Sequence, residues 1–345
     1  MAENQIVVRK SLKSKNRNLN PFIILLLSIL VIYVVVFSYM LIWAFYNSFK
    51  PAAQWGERQF MQLPVYTNEM WSVNGFFQGF DTNGALVSNK DIYFKGIFYN
   101  YTKVIAAMPG KSRAEYYAGW NLDVRMPKEN YNNTFFTIIM NTIIYSTVGS
   151  VIIGVVPCVV GYVSAKYDFK FNTVLYMITL FVMIMPLVGT EPARIKIMCR
   201  LYMFDTMWGD WIINFTFCNM YYLVFLAFYQ GVSGTYAEAA EVDGASQLRT
   251  MVQIIMPLAV KMIMTIALIF FIGRWNNYTT PLIYMPNKWM ISYRLYTITT
   301  LNANTLGDDP TKIAASMIIV VPILIVFVLL RNQIMGNISM GGLKE

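Results

Sequence analysis

Tyr236-Ala-Glu-Ala-Ala-Glu-Val-Asp-Gly-Ala-Ser246 runs on through Gln247-Leu-Arg-Thr-Met-Val-Gln253 to Ile254-Ile-Met-Pro257. Glu238 to Val242 favour helix. Gly244 would cost roughly 1 kcal/mol in a helix interior relative to Ala. It therefore reads as a bend or a close backbone approach. Beyond it, Leu248, Met251, Val252, Ile254 and Ile255 interleave with Gln247, Arg249 and Gln253, an amphipathic pattern. Pro257 ends or starts a helix. The stretch predicts a helix–turn–helix lying at a membrane surface, its Ala side chains small enough for a partner to come close. It fits an ordinary interfacial connector equally well.

The surroundings read as membrane protein. The chain has 345 residues, 57% hydrophobic and 13% charged; soluble domains carry about twice that charge. A run of about 20 apolar residues crosses a bilayer as helix. Six such spans are predicted, near 22–47, 135–163, 172–190, 211–231, 258–280 and 313–330. They are too long and continuous for barrel strands, so the fold class is an all-α integral membrane protein with six transmembrane helices. The N-terminal tail, 1–21, carries Arg9, Lys10, Lys13, Lys15 and Arg17, which places it in the cytoplasm before an uncleaved first span. Six spans return the tail 331–345 to the same side. The long segment 48–131, with Trp55, Trp71 and Trp120, is expected outside as a loop or small ordered cap. Residues 191–210 are expected outside as an interfacial helix, and 281–311 as a polar outer loop.

Several chemistries are excluded. The net charge of +9 is spread over the tail and loops and reflects topology, not nucleic-acid binding. There is no His, and Cys158, Cys199 and Cys218 are far apart, so no metal site or disulfide framework is expected. Pro109-Gly-Lys-Ser112 lacks the earlier glycine of a phosphate loop, Ile105 standing there; the chain has no ATP site. Asn100-Tyr-Thr102 is a short glycosylation-like triplet of the kind chance supplies. Within the spans, Arg274 either faces a cavity or partner or snorkels to the outer interface. Trp275, Asn276, Asn214, Asn219 and Tyr222 are candidates for a substrate pathway, or for plain interhelical hydrogen bonds.

Glu238-Ala239-Ala240, then Gly244, Ile254 and Met256-Pro257 resemble the EAA loop of ABC importer permeases, with Met256 where Leu is usual. Ser48-Phe49-Lys50, Asn141-Thr142, Pro186 and the tail Gly336-Asn337 to Gly341-Gly342-Leu343-Lys344 are similar to the second permease subunit of maltose-type carbohydrate importers. The resemblance implies a type I ABC importer permease fold, with a permease core at 132–330 and a coupling loop at 232–257. It implies that Glu238, Ala239, Ala240, Asp243, Gly244, Ile254 and Pro257 meet an ATPase subunit, which Gly341, Gly342 and Lys344 also reach. The implied partners are a second permease, two ATP-binding subunits, an extracytoplasmic sugar-binding protein and a carbohydrate substrate, in a bacterial plasma membrane. ATP and Mg would be bound by the partner subunits; this chain would hold no cofactor and would not itself be an enzyme. In the maltose system the partner permease makes most sugar contacts. The alternative is an ion-coupled secondary transporter, which would show internal repeats and membrane-embedded ionisable residues.

Overall fold

A computed structural model of the chain describes residues 21–50, 52, 55, 98–111, 132–185, 189–301 and 305–335. The expectations for the tail residues 1–20 and 336–345, for Pro186 and for most of 48–131 lie outside them. In chain order the elements are α1 (Pro21–Asn47), α2 (Tyr99–Ala107), β1 (Gly110–Lys111), β2 (Asn132–Asn133), α3 (Phe135–Lys166) and α4 (Asn172–Ile184). There follow α5 (Glu191–Arg200), α6 (Met207–Ile213), α7 (Met220–Gly231), α8 (Thr235–Val242), α9 (Gln247–Asn276), α10 (Thr279–Tyr284), α11 (Ile291–Tyr296) and α12 (Asp309–Met335). The two strands form one antiparallel pair, Gly110 opposite Asn133.

Four of these helices, α1, α3, α9 and the Asp309–Arg331 part of α12, are long and apolar enough to cross a membrane. Of the other two predicted spans, one is a short helix and one is broken. Helix α4 has 13 residues, a rise of about 20 Å against a hydrocarbon core of about 30 Å. The predicted span at 211–231 is broken between α6 and α7. There Asn219 caps α7, its Oδ1 accepting from the backbone N–H of Tyr221 and Tyr222 at 2.9 and 3.2 Å.

Helix α3 is the axis of the packing. Thr134 caps it, Oγ1 accepting from the Thr137 N–H at 3.2 Å, and three buried glycines mark where neighbours come close. A Cβ on Gly154 would lie 3.3 Å from the Ile263 carbonyl of α9, and one on Gly161 only 2.8 Å from Phe225 Cβ and 3.0 Å from the Leu226 nitrogen of α7. Gly161→Ala is therefore expected to destabilise the protein by about 1–3 kcal/mol, seen as a lowered melting temperature in detergent. Gly154→Ala should cost less. Equal melting of both variants and wild type would contradict this packing.

Three apolar clusters pack along α3, one of them around Tyr145, Met198, Tyr284 and Met290. Near its C-terminal end Cys158, Tyr162, Phe225, Tyr229, Ile255 and Ala259 are buried together, and the Cys158 thiol shares a 3.0 Å hydrogen bond with the Tyr229 hydroxyl. Toward the other end Val104, Met108, Ile138, Trp275, Trp289 and Leu306 form the third. Helix α1 is apolar and exposed over most of its length, and its C-terminal end is held by the chain that follows it. There Asn100 of α2 donates to the carbonyls of Ser48 and Lys50 at 2.8 and 2.9 Å, and accepts from Thr311 Oγ1 at 3.2 Å. Those bonds occupy the Asn100 amide in tertiary structure, so the triplet at Asn100 is a structural latch.

Candidate functional site

The 236–257 stretch opens as a helix and a turn, as its composition predicts. Helix α8 closes with the Ala245 N–H on the Ala240 carbonyl at 2.9 Å and the Gly244 N–H on the Glu241 carbonyl at 3.0 Å. This is the paired bonding of a Schellman end, which needs a left-handed residue, and Gly244 supplies it at φ +73°. Ser246 then caps the next helix, its Oγ accepting from the Arg249 N–H at 3.4 Å.

The second half departs from expectation. Instead of a separate surface helix ended by Pro257, the chain runs unbroken from Gln247 to Asn276. It does so by changing pitch, with a π-helical stretch at Thr250–Ile255 and a 3₁₀ turn at Met256–Ala259. Proline has no N–H to give an α-helical bond; the wide and then tight turns carry the helix past it. Predicted span five therefore begins about ten residues early, and the second half of the 236–257 stretch is continuous with it.

Glu238, Ala239, Asp243, Gly244 and Pro257 are exposed, Ile254 is half-buried and Ala240 is buried. Val242 is 88% exposed, with Tyr236 at 50% and Leu248 at 68%. Three large apolar side chains on such a short, otherwise acidic loop form a surface suited to burial against another protein. The Lys166 ammonium at the end of α3 donates to the Val232 carbonyl at 2.6 Å, tying the loop's entry to the central helix.

The second site lies among α3, α5, α6 and α9, around Asp210. Asp210 is fully buried. Its carboxylate accepts from Arg274 Nη1 at 2.9 Å, Arg194 Nη2 at 3.1 Å, the Tyr145 hydroxyl at 3.1 Å and Asn214 Nδ2 at 2.8 Å. The Arg274 guanidinium also lies 5.0 Å from the centre of the Tyr145 ring. It has room because residue 149 is glycine; a Cβ there would sit 2.7 Å from the guanidinium carbon. Arg274 is thus buried and paired, and does not snorkel. The segment 191–210, expected as an interfacial helix, carries α5 at Glu191–Arg200. At the end of that segment Asp210 turns into the interior, where it meets Arg274.

Asp205, at φ +60°, holds the preceding turn in place. Its carboxylate accepts from the Asn287 backbone N–H and side-chain amide at 3.0 and 2.9 Å. Burial pushes that carboxyl above the usual aspartate range, against the pull of the two Asn287 bonds.

The other pathway candidates fall as follows. Asn214 is bound to Asp210, Asn219 caps α7 and Tyr222 is fully buried. The Trp275 indole donates to the Ile319 carbonyl of α12 at 3.1 Å, an interhelical bond. Asn276 borders a hollow of about 160 Å³ with Tyr278, Ser292, Tyr296, Thr299 and Ser316 around it. Asp210 and Arg194 lie outside the sequence-derived set. The signal was a lone Asp in an apolar segment opposite a lone Arg in a span. Gly341, Gly342 and Lys344 lie outside the described residues. No group of three or more Cys, Asp or Glu side chains that could hold a metal occurs among the described residues.

Residues 157–339 match the family of binding-protein-dependent transport system inner membrane components. The chain is similar to the arabinooligosaccharides transport system permease protein AraQ of Bacillus subtilis, 23% identical over 235 residues that cover 66% of this chain and 83% of that protein. It is also similar to the diacetylchitobiose uptake system permease protein NgcG of Streptomyces coelicolor, 23% identical over 222 residues, 62% of this chain and 73% of that protein. In fold it resembles a chain of a bacterial ABC transporter involved in the import of the acidic polysaccharide alginate, with a TM-score of 0.62 at 21% identity, covering 92% of this chain and 98% of that one. A helical bundle with apolar helices long enough to span and an exposed helical loop fits such a membrane component. This chain belongs to the binding-protein-dependent transport system inner membrane component family.

Proposed function

We propose that this chain is the transmembrane subunit of an ATP-driven importer of oligosaccharides. It lines the path with a second permease, and an extracytoplasmic binding protein delivers the sugar. Two separate ATP-binding subunits hydrolyse ATP with Mg and press on the loop at 232–257. Both termini and that loop face the cytoplasm. The observation that carries the reading is the Schellman-closed helix α8, with Val242 exposed and the loop continuous with spanning helix α9. A lever fused to a span transmits rigid-body movement. The permeases to which the chain is similar move arabinooligosaccharides and diacetylchitobiose, which supports a sugar as cargo.

On this reading Glu238, Ala239, Asp243 and Gly244 meet the ATPase, buried Ala240 seats α8 beneath them in place of the contact expected of it, and Ile254 and Pro257 pass the movement into α9. Gly341, Gly342 and Lys344 add a second contact from the tail. Affinity purification of the chain from its native membrane tests this. The expected result is an ATPase in stoichiometric amount, released by Val242→Glu. A chain that purifies alone and still moves solute would be a secondary transporter instead.

A further inference from the structure

The cluster around Asp210 is not neutral. Two guanidiniums, those of Arg194 and Arg274, share one carboxylate. Glu191, three residues before Arg194 on α5, is exposed and forms no ion pair with it among the described residues. Arg274 is the embedded partner, its side chain 9% exposed, whereas the Arg194 side chain is 26% exposed and open to approach.

Hydrogen-bond donors are also in surplus there. Arg194 Nε, Trp211 Nε1 and the Tyr284 hydroxyl are buried and have no hydrogen-bond partner among the described residues. They belong together: the Arg194 guanidinium lies 4.8 Å from the centre of the Tyr284 ring. Trp211 follows Asp210 on α6 and packs in the same apolar cluster as Tyr284. Asn214 gives its amide N–H groups to Asp210, which leaves Oδ1 to accept from a ligand hydroxyl. An unbalanced cation and orphaned donors in an apolar setting are costly unless an anionic acceptor joins them. Guanidinium suits a carboxylate in particular, because its fork of donors matches the two oxygens.

We propose that Arg194 is a specificity-determining residue that binds the carboxylate of an acidic sugar, flanked by the Trp211 indole N–H and the Tyr284 hydroxyl. The inference rests on the carbohydrate-import reading and narrows its substrate to uronic-acid oligosaccharides. Asp210 holds the arginine in place, and Arg274 sets a second positive charge against the same carboxylate. The site therefore gains one negative charge and ends neutral.

The test uses the whole transporter with its binding protein in proteoliposomes. Uptake is compared for digalacturonate against galactobiose, diglucuronate against cellobiose, and dimannuronate against mannobiose. At least one acidic member should be taken up in preference to its neutral counterpart. Arg194→Gln should reduce that uptake about tenfold or more, the size of a lost charge-assisted hydrogen bond, and Arg194→Lys should restore part of it. The melting temperature of Arg194→Gln should stay the same or rise, since the charge in excess of the single carboxylate is gone and Arg274 still pairs with Asp210. Import of neutral sugars alone would overturn the proposal and leave the carbohydrate reading standing. Equal loss of melting temperature and of all uptake in Arg194→Gln would make Arg194 a structural partner of Asp210, or of a carboxylate on the second permease, and would also overturn it. Uptake of no sugar in the panel would sink both readings together.

Discussion

Asp210→Ala is expected to leave little folded protein. Asp210 is fully buried and holds the buried guanidinium of Arg274 at 2.9 Å. Removing one partner of a buried pair costs about 3–5 kcal/mol, because the other charge is left without compensation. Here the loss is compounded. Tyr145 and Asn214 would each lose an acceptor, and helix α6 would lose its bond to α9. Fluorescence-detected size exclusion in detergent should show a much reduced monodisperse peak and a melting temperature many degrees lower. The double variant Asp210→Leu with Arg274→Leu should recover much of the loss, since replacing a buried ion pair by apolar side chains is often close to neutral. A single variant that melts like wild type, or a double variant no better than the single, would contradict this account of the cluster.

Gly244→Val should do the opposite: keep the protein folded and stop it working. The residue sits at φ +73°, and a Cβ added there would meet no neighbour within 4 Å, so bulk is tolerated but the backbone conformation is not. A left-handed conformation costs an ordinary residue about 1–2 kcal/mol, and β-branching makes it worse. The chain relieves that strain by opening the Schellman end, which swings α8 and displaces Val242 and Tyr236. ATP-driven uptake should fall at least tenfold, with expression and melting temperature close to wild type. Gly244→Asn should be milder, because Asn tolerates the left-handed region. Glu238→Lys should uncouple in the same way if the acidic face of α8 is the one that docks. Normal uptake by the Val variant would show that the shape of this turn does not matter to transport.

Much of the fold was legible in local pattern. Helices α1, α3 and α12 follow from length and hydropathy alone, since a helix is the way a long apolar run can satisfy its backbone in lipid. Gly244 was legible as a bend because glycine adopts that conformation without strain. Pro257 misled. It reads as a helix boundary, yet the neighbouring turns change pitch and carry α9 past it, a tertiary accommodation that no local rule contains.

Asp210 was illegible for a different reason. Between Trp208 and Trp211 a lone carboxylate lowers the local hydropathy, so the segment reads as an outer loop. Its true environment depends on Arg274, 64 residues further on, and on the missing Cβ of Gly149. A polytopic helical membrane protein with an exposed helical loop is written in the residue order itself, because apolar length and backbone conformation are properties of short segments. That Asp210, Arg194 and Arg274 share one site is a property of the folded molecule, because a buried charge takes its meaning from whichever opposite charge the fold brings within about 3 Å.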